Sequence, residues 1–253
     1  MPLLHHLDCV KIISPLADKV VGHCLLLEEK DRLILIDTGI GLADTLDPVG
    51  RIGQELIDLV GYHFDEKRTA IAQIKKLGLD PARVTDCIIT HLDNDHIGGL
   101  ADFPSATVHV SEEEYNNYLT GNPRYLKTPL EHNPVIKTYG QSGERWFGLE
   151  ARKININIAT EIFFIPLFGH TCGHCGVALE LNNDWYLHAG DAYYLNSELK
   201  DKQHPVNKLA ELRADDNAAR VASLEKIRVL QEKYPEINIF SYHDGEELLQ
   251  YKN

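Results

Sequence analysis

The chain has 253 residues, 43% of them hydrophobic and 25% charged, a composition typical of a globular protein that is large enough to bury a core without disulfides. Asp and Glu number 38 against 25 Lys and Arg, so the formal charge is −13, which disfavours general binding to nucleic acid. No apolar run approaches the roughly 20 residues of a membrane span. The N-terminus lacks the pattern of a secretory signal, so we expect a cytoplasmic protein that does not associate with membranes.

The use of cysteine and histidine narrows the search for a site. The five cysteines are an odd and scattered set, which does not suggest a disulfide framework. Cys172 and Cys175 form a single C-x-x-C pair without thioredoxin-like surroundings, which favours ordinary loop residues over a redox centre. The thirteen histidines are a high count. Because histidine is the commonest metal ligand and titrates near neutral pH, the placement of these histidines is the feature to examine.

The first half of the chain reads as strands followed by a helix and a further strand. Apolar and β-branched runs predict strands over 7–14, 22–29 and 32–37. Asp65 is a candidate N-cap for a helix that runs to Lys76 with its apolar residues on one face. Residues 84–90 are predicted to form a buried strand, and this strand leads directly into His91.

The second half repeats this pattern. Ser111, with Glu114 three residues later, is a capping box that predicts a short helix. Residues 121–149 contain three prolines and several aromatic residues, so we expect a lid or an insertion there. Further strands are predicted over 106–110, 153–158, 161–166, 176–181, 184–189 and 237–241. Asp216 is a candidate cap for the last long helix, and since no linker is evident we expect one domain over residues 1–253.

Four potential metal ligands crowd into the sequence HLDNDH, namely His91, Asp93, Asp95 and His96. Three more candidates follow predicted strands later in the chain, namely His170, Asp191 and His243. Loops that follow strand ends gather at one edge of a layered α/β protein, so these side chains are expected to meet. Seven nitrogen and oxygen donors, with one carboxylate shared, suit two ions. The opposing interpretation, surface histidines beside a solvated acidic turn, does not predict this repeated placement.

The order of the motifs resembles the metallo-β-lactamase superfamily from about residue 7 to residue 245. The motifs that carry the resemblance are Asp37-Thr38-Gly39, THLDNDH at 90–96, GHTCGH at 169–174, Gly190-Asp191 and the final His243. The resemblance implies an α/β fold of the αββα four-layer sandwich type, with the metals at one edge of the two sheets. It also implies the ligands, with His91 and His170 on the first ion, Asp95, His96 and His243 on the second, and Asp191 bridging both.

One position departs from the family pattern, because Asp93 stands where the family usually has its second histidine. We expect Asp93 to be a ligand; the alternative is a supporting carboxylate beside a single-ion or asymmetric site. Three carboxylates, two divalent ions and one hydroxide sum to zero charge, whereas a histidine would leave one positive charge. A harder oxygen donor shifts the preference from zinc toward manganese or iron. We therefore expect two divalent ions, zinc first, with manganese or iron left open.

The resemblance implies a metal-dependent hydrolase of a small-molecule substrate, in which a metal-bound hydroxide oriented by Asp95 attacks a carbonyl. Tyr194 has the offset from Asp191 of a substrate-facing tyrosine in the acyl-homoserine lactonase branch. Its phenol is a candidate donor to the developing oxyanion, and an ordinary amphipathic tyrosine is the alternative. These features favour a lactone or a related carboxylic ester. The alternatives are a thioester hydrolase of the hydroxyacylglutathione type, a diiron oxidoreductase suggested by Asp93, and a metal-stabilised binding protein.

The remaining motif residues receive supporting roles. His174 is expected to be structural, and Asp37 is expected to accept hydrogen bonds that fix the histidine loop. The substrate-facing walls are expected from residues 40–65 and 121–149. No motif constrains these two segments, so the sequence predicts neither the substrate nor the oligomeric state.

Overall fold

Two β-sheets with helices on their outer faces form the fold of the computed structural model, which describes residues 2–252. The strands there are β1 (Leu3–Ser14), β2 (Ala17–Glu29), β3 (Arg32–Ile36), β4 (Tyr62–His63), β5 (Val84–Ile88), β6 (Thr107–Ser111), β7 (Ile136–Tyr139), β8 (Arg145–Trp146), β9 (Leu149–Glu150), β10 (Arg152–Lys153), β11 (Ile162–Pro166), β12 (Cys175–Leu181), β13 (Asp184–His188) and β14 (Asn238–Phe240). The α-helices are α1 (Leu42–Leu46), α2 (Pro48–Arg51), α3 (Gln54–Val60), α4 (Ala70–Lys76), α5 (Asn94–Ile97), α6 (Glu112–Leu119), α7 (Ser197–Lys200), α8 (Val206–Arg213), α9 (Asn217–Lys233) and α10 (Gly245–Leu249). Short 3-10 helices span Glu66–Arg68, Pro81–Arg83, Gly98–Asp102 and Thr128–Leu130. None of the described helices has both the length and the apolar character needed to cross a membrane.

The first sheet has seven strands in the order β4-β1-β2-β3-β5-β6-β7, and the second has five in the order β10-β11-β12-β13-β14. In the first sheet, β3, β5, β6 and β7 run parallel to one another. In the second sheet, only the β13–β14 pair is parallel. The strands β5, β13 and β14 each lead into candidate ligands at their carboxyl ends, so the two sheets deliver these ligands from adjacent edges.

Side-chain alternation along the strands divides the apolar residues into layers. One layer lies between the sheets and includes Leu25, Leu27, Phe164 and Val177. The residues that alternate with them face outward and pack under helices. Under the first sheet, Leu26 and Leu35 lie in one core with Ile74 of α4. Under the second sheet, Leu187 lies in one core with Leu224 and Ile227 of α9. Helices outside two face-to-face sheets confirm the predicted αββα sandwich.

Most predicted strands are confirmed, but the helix predicted over residues 65–76 is wrong in one respect. Asp65 does cap a helical turn, because its carboxylate accepts from the Lys67 amide. The chain then leaves helical geometry at Thr69, and the hydroxyl of Thr69 caps α4 as a separate helix. The strand predicted over 153–158 is wrong except at Lys153, which is the second residue of β10. The Asn182-Asn183 turn joins β12 to β13, with positive φ at both residues, as a primed hairpin turn requires.

The segments 42–60 and 197–213 contain helices that the sequence did not indicate. The helices α1 to α3 are short and leave large apolar side chains exposed, including Leu46 and Leu59, so they show no helical hydrophobic stripe. In residues 121–149, β7 pairs with β6 at the edge of the first sheet, and Trp146 is buried in the core of the second. Part of that segment is therefore scaffold, and its role as a lid remains a prediction.

The partly buried His6, packed against the buried His23 and near His188, predicts a loss of stability in acid. His6 Nδ1 lies 2.8 Å from His23 Nε2, and His188 Nε2 donates to the His23 carbonyl at 2.6 Å. Burial, and then the neighbouring His188, lower the pKa of His6 to about 4. Because the unfolded chain binds this proton near pH 6.5 and the folded chain does not, stability is retained above pH 6.5 and is lost as the pH falls toward 4. For His6 alone the loss is about 2 kcal/mol at pH 5.

Urea unfolding of chelator-treated protein at pH 7 and pH 5 measures this effect. The variant His6→Phe should show a pH-dependent loss about 2 kcal/mol smaller than the wild type, whatever its absolute stability. If His6→Phe lost as much free energy of unfolding between pH 7 and pH 5 as the wild type does, His6 would not be the source of the acid sensitivity.

Candidate metal centre

The loop after β5 is anchored by Asp37. The Asp37 carboxylate accepts from the Thr90 amide at 2.9 Å and from the Thr90 hydroxyl at 2.8 Å. It also lies 2.8 Å from His96 Nδ1, which therefore donates to it and leaves His96 Nε2 free to face the site. Asp37 is fully buried and adopts a positive φ of 53°, which aims its side chain back at this loop. The expected supporting role of Asp37 is confirmed.

Six of the predicted ligands form two groups. The first triad consists of His91, His170 and Asp191, and the second triad consists of Asp95, His96 and His243. Within each triad the candidate ligand atoms lie within 4.8 Å of one another, and all six residues are buried. Each triad has the residue types and spacing to hold a divalent ion.

Asp191 joins the two triads. In the first triad its Oδ2 lies 3.4 Å from His170 Nε2 and 4.0 Å from His91 Nε2. In the second triad its Oδ1 lies 3.3 Å from His96 Nε2, and its Oδ2 lies 3.3 Å from His243 Nε2. One carboxylate thus faces ligand nitrogens of both groups, which is the geometry predicted for a bridge between two ions.

The donor atoms fit a pair of cations. His91 Nε2, His96 Nε2 and Asp191 Oδ1 are buried without a hydrogen-bond partner among the described residues, whereas buried polar atoms are ordinarily paired. His243 Nδ1 donates to the Val21 carbonyl at 2.9 Å. The Nε2 atom of His243 is thereby left as the ligand nitrogen, the arrangement usual for metal-bound histidine.

Local backbone features aim the later ligands. Gly190 has a φ of 55°, and a Cβ there would lie 2.5 Å from His174 Nε2. That nitrogen accepts from the Asp191 amide at 2.9 Å, while His174 Nδ1 donates to the Leu167 carbonyl at 2.9 Å. Burial lowers the pKa of His174 to about 3. A neutral His174 whose two nitrogens are both used has the structural role that the sequence predicted, and it positions Asp191.

Asp93 faces the first triad, and it also binds an arginine that sequence reasoning missed. Its Oδ2 lies 3.2 Å from His170 Nε2 and 3.4 Å from His91 Nε2. Both of its oxygens accept from Arg124 at 2.6 Å. Although burial opposes it, Arg124 holds the pKa of Asp93 well below its usual range. The sequence indicated Arg124 only indirectly, because an additional buried carboxylate such as Asp93 needs a cation nearby to offset its charge.

Tyr194 lies at the rim of the first triad. Its hydroxyl is 3.3 Å from His170 Nδ1, the nitrogen that does not face the carboxylates. When His170 binds a cation through Nε2, Nδ1 carries the proton and donates to the Tyr194 oxygen. The Tyr194 hydroxyl proton then remains available to another acceptor.

Glu114 is a second residue whose role the sequence did not reveal. The Ser111 hydroxyl caps α6 as predicted, by accepting from the Glu114 amide at 3.1 Å. The Glu114 carboxylate, however, does not complete the capping box. It accepts from four groups of the surrounding loops, namely the Leu92 amide, the Tyr125 hydroxyl, the Thr171 hydroxyl and the Gly173 amide. Glu114 thus fastens the His91 loop to the His170 loop.

A cavity of about 370 Å³ opens onto both triads. Ligands of the two triads lie on its lining beside Tyr194, and Arg213 lies on its wall. The rest of the wall is mainly apolar and includes Ile12, Leu16, Leu59, Val206 and Leu209. The prediction that residues 40–65 supply a wall is confirmed for Asp58 to Tyr62. In the described part of the chain, residues 121–149 do not line this cavity, which corrects the second half of that expectation, because the turn between β1 and β2 and the helix α8 stand there.

Cys172 and Cys175 are not disulfide-bonded to each other. Cys175 is buried, and burial raises the pKa of its thiol, while Cys172 is exposed. A buried thiol of high pKa is unreactive, in line with the expectation of ordinary loop residues.

The chain is similar in sequence to proteins named as a metallo-hydrolase and as an N-acyl homoserine lactonase. A Mycobacterium tuberculosis protein named "Probable metallo-hydrolase Rv2300c" is 38% identical over 196 residues, which are 76% of this chain and 62% of that relative. The matched part is therefore less than two thirds of the relative's length. The N-acyl homoserine lactonase AttM of Rhizobium johnstonii is 26% identical over 226 residues, 87% of this chain and 80% of AttM.

The fold has a close counterpart among solved structures. A mutant of B. thuringiensis AiiA with N-decanoyl-L-homoserine bound at its active site superposes with a TM-score of 0.73 at 20% identity, covering 98% of this chain and 95% of the other. A family model described as the metallo-beta-lactamase superfamily matches residues 17–234. That range contains the loop with His91 and His96, the loop with His170, and Asp191. With two triads at the edge of an αββα sandwich and this match over most of its length, the chain belongs to the metallo-β-lactamase superfamily.

Proposed function

We propose that the protein is a metal-dependent hydrolase that cleaves a carboxylic ester, in the first place a lactone, with two divalent ions, zinc first. The observation that carries the proposal is the pair of triads sharing Asp191 on the lining of a mainly apolar cavity. The cavity suits a small substrate with an apolar portion. Relatives named as a metallo-hydrolase and as N-acyl homoserine lactonases support the same class.

The residues of the chain divide the work of ester cleavage. Two divalent ions held by the triads would polarise the substrate carbonyl and lower the pKa of a water molecule. Asp95, whose Oδ2 lies 3.6 Å from His243 Nε2, orients that water by accepting a hydrogen bond from it, and takes its proton as the water oxygen adds to the carbonyl carbon. Tyr194 donates its hydroxyl proton as a hydrogen bond to the carbonyl oxygen as negative charge develops there. The ester C–O bond then breaks, and the departing alkoxide takes the proton from Asp95 and leaves as an alcohol.

Replacing Tyr194 with Phe tests the donor role of its hydroxyl. We expect kcat to fall about 10- to 100-fold with metal content unchanged, because one hydrogen bond to the oxyanion is lost. Steady-state kinetics with elemental analysis measures both. Tyr193→Phe is the matched control, since the Tyr193 hydroxyl donates to Glu247 at 3.0 Å, away from the cavity. An unchanged kcat in Tyr194→Phe would show that Tyr194 only supports His170.

The two alternative enzyme classes are not favoured. The diiron hypothesis depended on Asp93 as an additional hard donor, and Asp93 is already neutralised by Arg124. No feature of the site favours a thioester substrate over an ester with an oxygen leaving group. Manganese and iron remain open as ions for an ester hydrolase, because the triads offer only nitrogen and oxygen donors.

A substrate panel tests the proposal. Protein depleted with a chelator and reloaded with zinc, manganese or iron is assayed on lactones of varied acyl length, aryl esters, a thioester and a phosphodiester. We expect turnover of lactones or esters that chelation removes and metal restores, and that Asp95→Asn reduces by at least about a hundredfold.

Asp86→Asn is the control for this panel, because Asp86 pairs with His109 at 2.8 Å outside the two triads. That variant should retain activity. The proposal fails if metal-loaded protein hydrolyses none of the substrates.

A further inference from the structure

All three guanidinium nitrogens of Arg124 donate hydrogen bonds at the edge of the first triad. Nε and Nη2 donate to the two oxygens of Asp93, each at 2.6 Å. Nη1 donates to the Arg213 carbonyl at 2.6 Å and to the Asp215 carboxylate at 3.1 Å. The Arg124 side chain is only 14% exposed. A buried guanidinium held by this many acceptors is a fixed part of the site.

One further contact of Arg124 involves a candidate ligand atom. Nη2 lies 2.9 Å from His170 Nε2, the nitrogen that faces Asp93 and Asp191. Arginine is a hydrogen-bond donor only. Arg124 therefore donates to the Nε2 lone pair of His170, through which His170 would bind a cation. The second triad differs, because no lysine or arginine in residues 2–252 forms an ion pair with Asp95. The two triads therefore present unequal electrostatic environments to a cation.

The positive charge of Arg124 also changes the net charge of the site. Asp93 adds one negative charge where the family pattern has a neutral histidine, and Arg124 adds one positive charge in direct contact with it. The pair is electrically equivalent to the histidine that it replaces. The site with two ions and a hydroxide then carries the single positive charge of the histidine pattern, rather than the zero charge counted from the ligands alone.

We propose that Arg124 is a positioning residue that fixes Asp93, neutralises it and weakens cation binding at the first triad, so that the second triad fills first. This inference rests on the metal centre of the proposed function. It goes further in assigning an order of loading and a residue that sets it. Because a fixed cation sits against the first triad alone, the affinity difference between the triads depends on Arg124.

Stepwise zinc binding to metal-free protein, measured against a chromophoric chelator, tests the proposal without any assay of catalysis. The wild type should show two constants, the weaker one lost in His170→Ala and the stronger one lost in His243→Ala. Arg124→Gln, which removes the charge and keeps hydrogen-bonding groups, should tighten the weaker constant about tenfold or more and leave the stronger one within about twofold. Arg124→Lys, which keeps the charge, should stay near the wild type.

Arg152→Gln is the matched control. Arg152 is also buried and binds the carboxylates of Glu113 and Glu150, but it contacts neither triad, so both zinc constants should be unchanged. The inference is overturned if Arg124→Gln leaves the weaker constant unchanged or weakens it, or if Arg124→Lys behaves like Arg124→Gln. Two bound ions without ester hydrolysis would instead contradict the proposed function alone, and absence of zinc binding would contradict both.

Discussion

Replacing Asp191 with Asn is expected to reduce kcat/KM by more than about a hundredfold and to weaken zinc binding at both triads. Asp191 is the carboxylate that faces ligand nitrogens of both groups, through Oδ1 toward His96 and through Oδ2 toward His170 and His243. Asn keeps the shape but loses the charge and turns an amide nitrogen toward one of these groups. Since supporting residues around metal ligands already account for 10- to 100-fold effects, a shared ligand should exceed that range.

The measurement combines steady-state kinetics with zinc content after dialysis. Asp86→Asn is the matched control, because it removes a buried carboxylate paired with a buried histidine elsewhere in the molecule. It should lower stability and leave zinc content and kcat/KM close to wild type. If Asp191→Asn retained two tightly bound ions, Asp191 would not be the bridge.

The fold was predictable wherever one pattern dominated. Strand β3 is buried on both faces from Leu33 to Ile36 and reads as a continuous apolar run, so its position followed from composition. The helices α1 to α3 were missed because they bury few side chains and leave Leu46 and Leu59 exposed. Such helices are held by contacts made elsewhere in the chain, and the local sequence carries no period that would indicate them.

The site was predictable to the extent that its residues sit in short motifs. His91 follows β5 and His96 lies in the short helix α5 that comes next, and Asp191 follows a strand end, so spacing and topology together indicated a centre. Arg124 and Glu114 were not predictable in this way. Arg124 reaches Asp93 across 31 positions of sequence and Glu114 reaches Thr171 across 57. Contacts of this kind are created by the tertiary fold and leave no local signature.

Replacing Glu114 with Gln is expected to destabilise the protein by about 2–4 kcal/mol and to weaken zinc binding at the first triad more than at the second. Oε1 of Glu114 accepts from the Leu92 amide at 2.8 Å, and Oε2 accepts from the Thr171 hydroxyl at 2.6 Å and from the Gly173 amide at 3.1 Å. Gln offers one acceptor oxygen, so its amide nitrogen must face donors on one side. Each buried donor left unpaired costs about 1–3 kcal/mol.

Glu113→Gln separates this effect from a general loss of charge on α6. Glu113 is the preceding residue and its carboxylate pairs with Arg152, but that carboxylate accepts no hydrogen bond from the His91 loop or the His170 loop. Urea unfolding and stepwise zinc binding of both variants should therefore show a large effect at position 114 and a small one at 113.

Because Glu114 joins the two loops that supply His91 and His170, its replacement is expected to separate the ligands of the first triad. The second triad should change less, since Asp37 and the Val21 carbonyl hold His96 and His243 independently of Glu114. Equal weakening of both triads would mean that Glu114 supports the fold in general rather than the first triad.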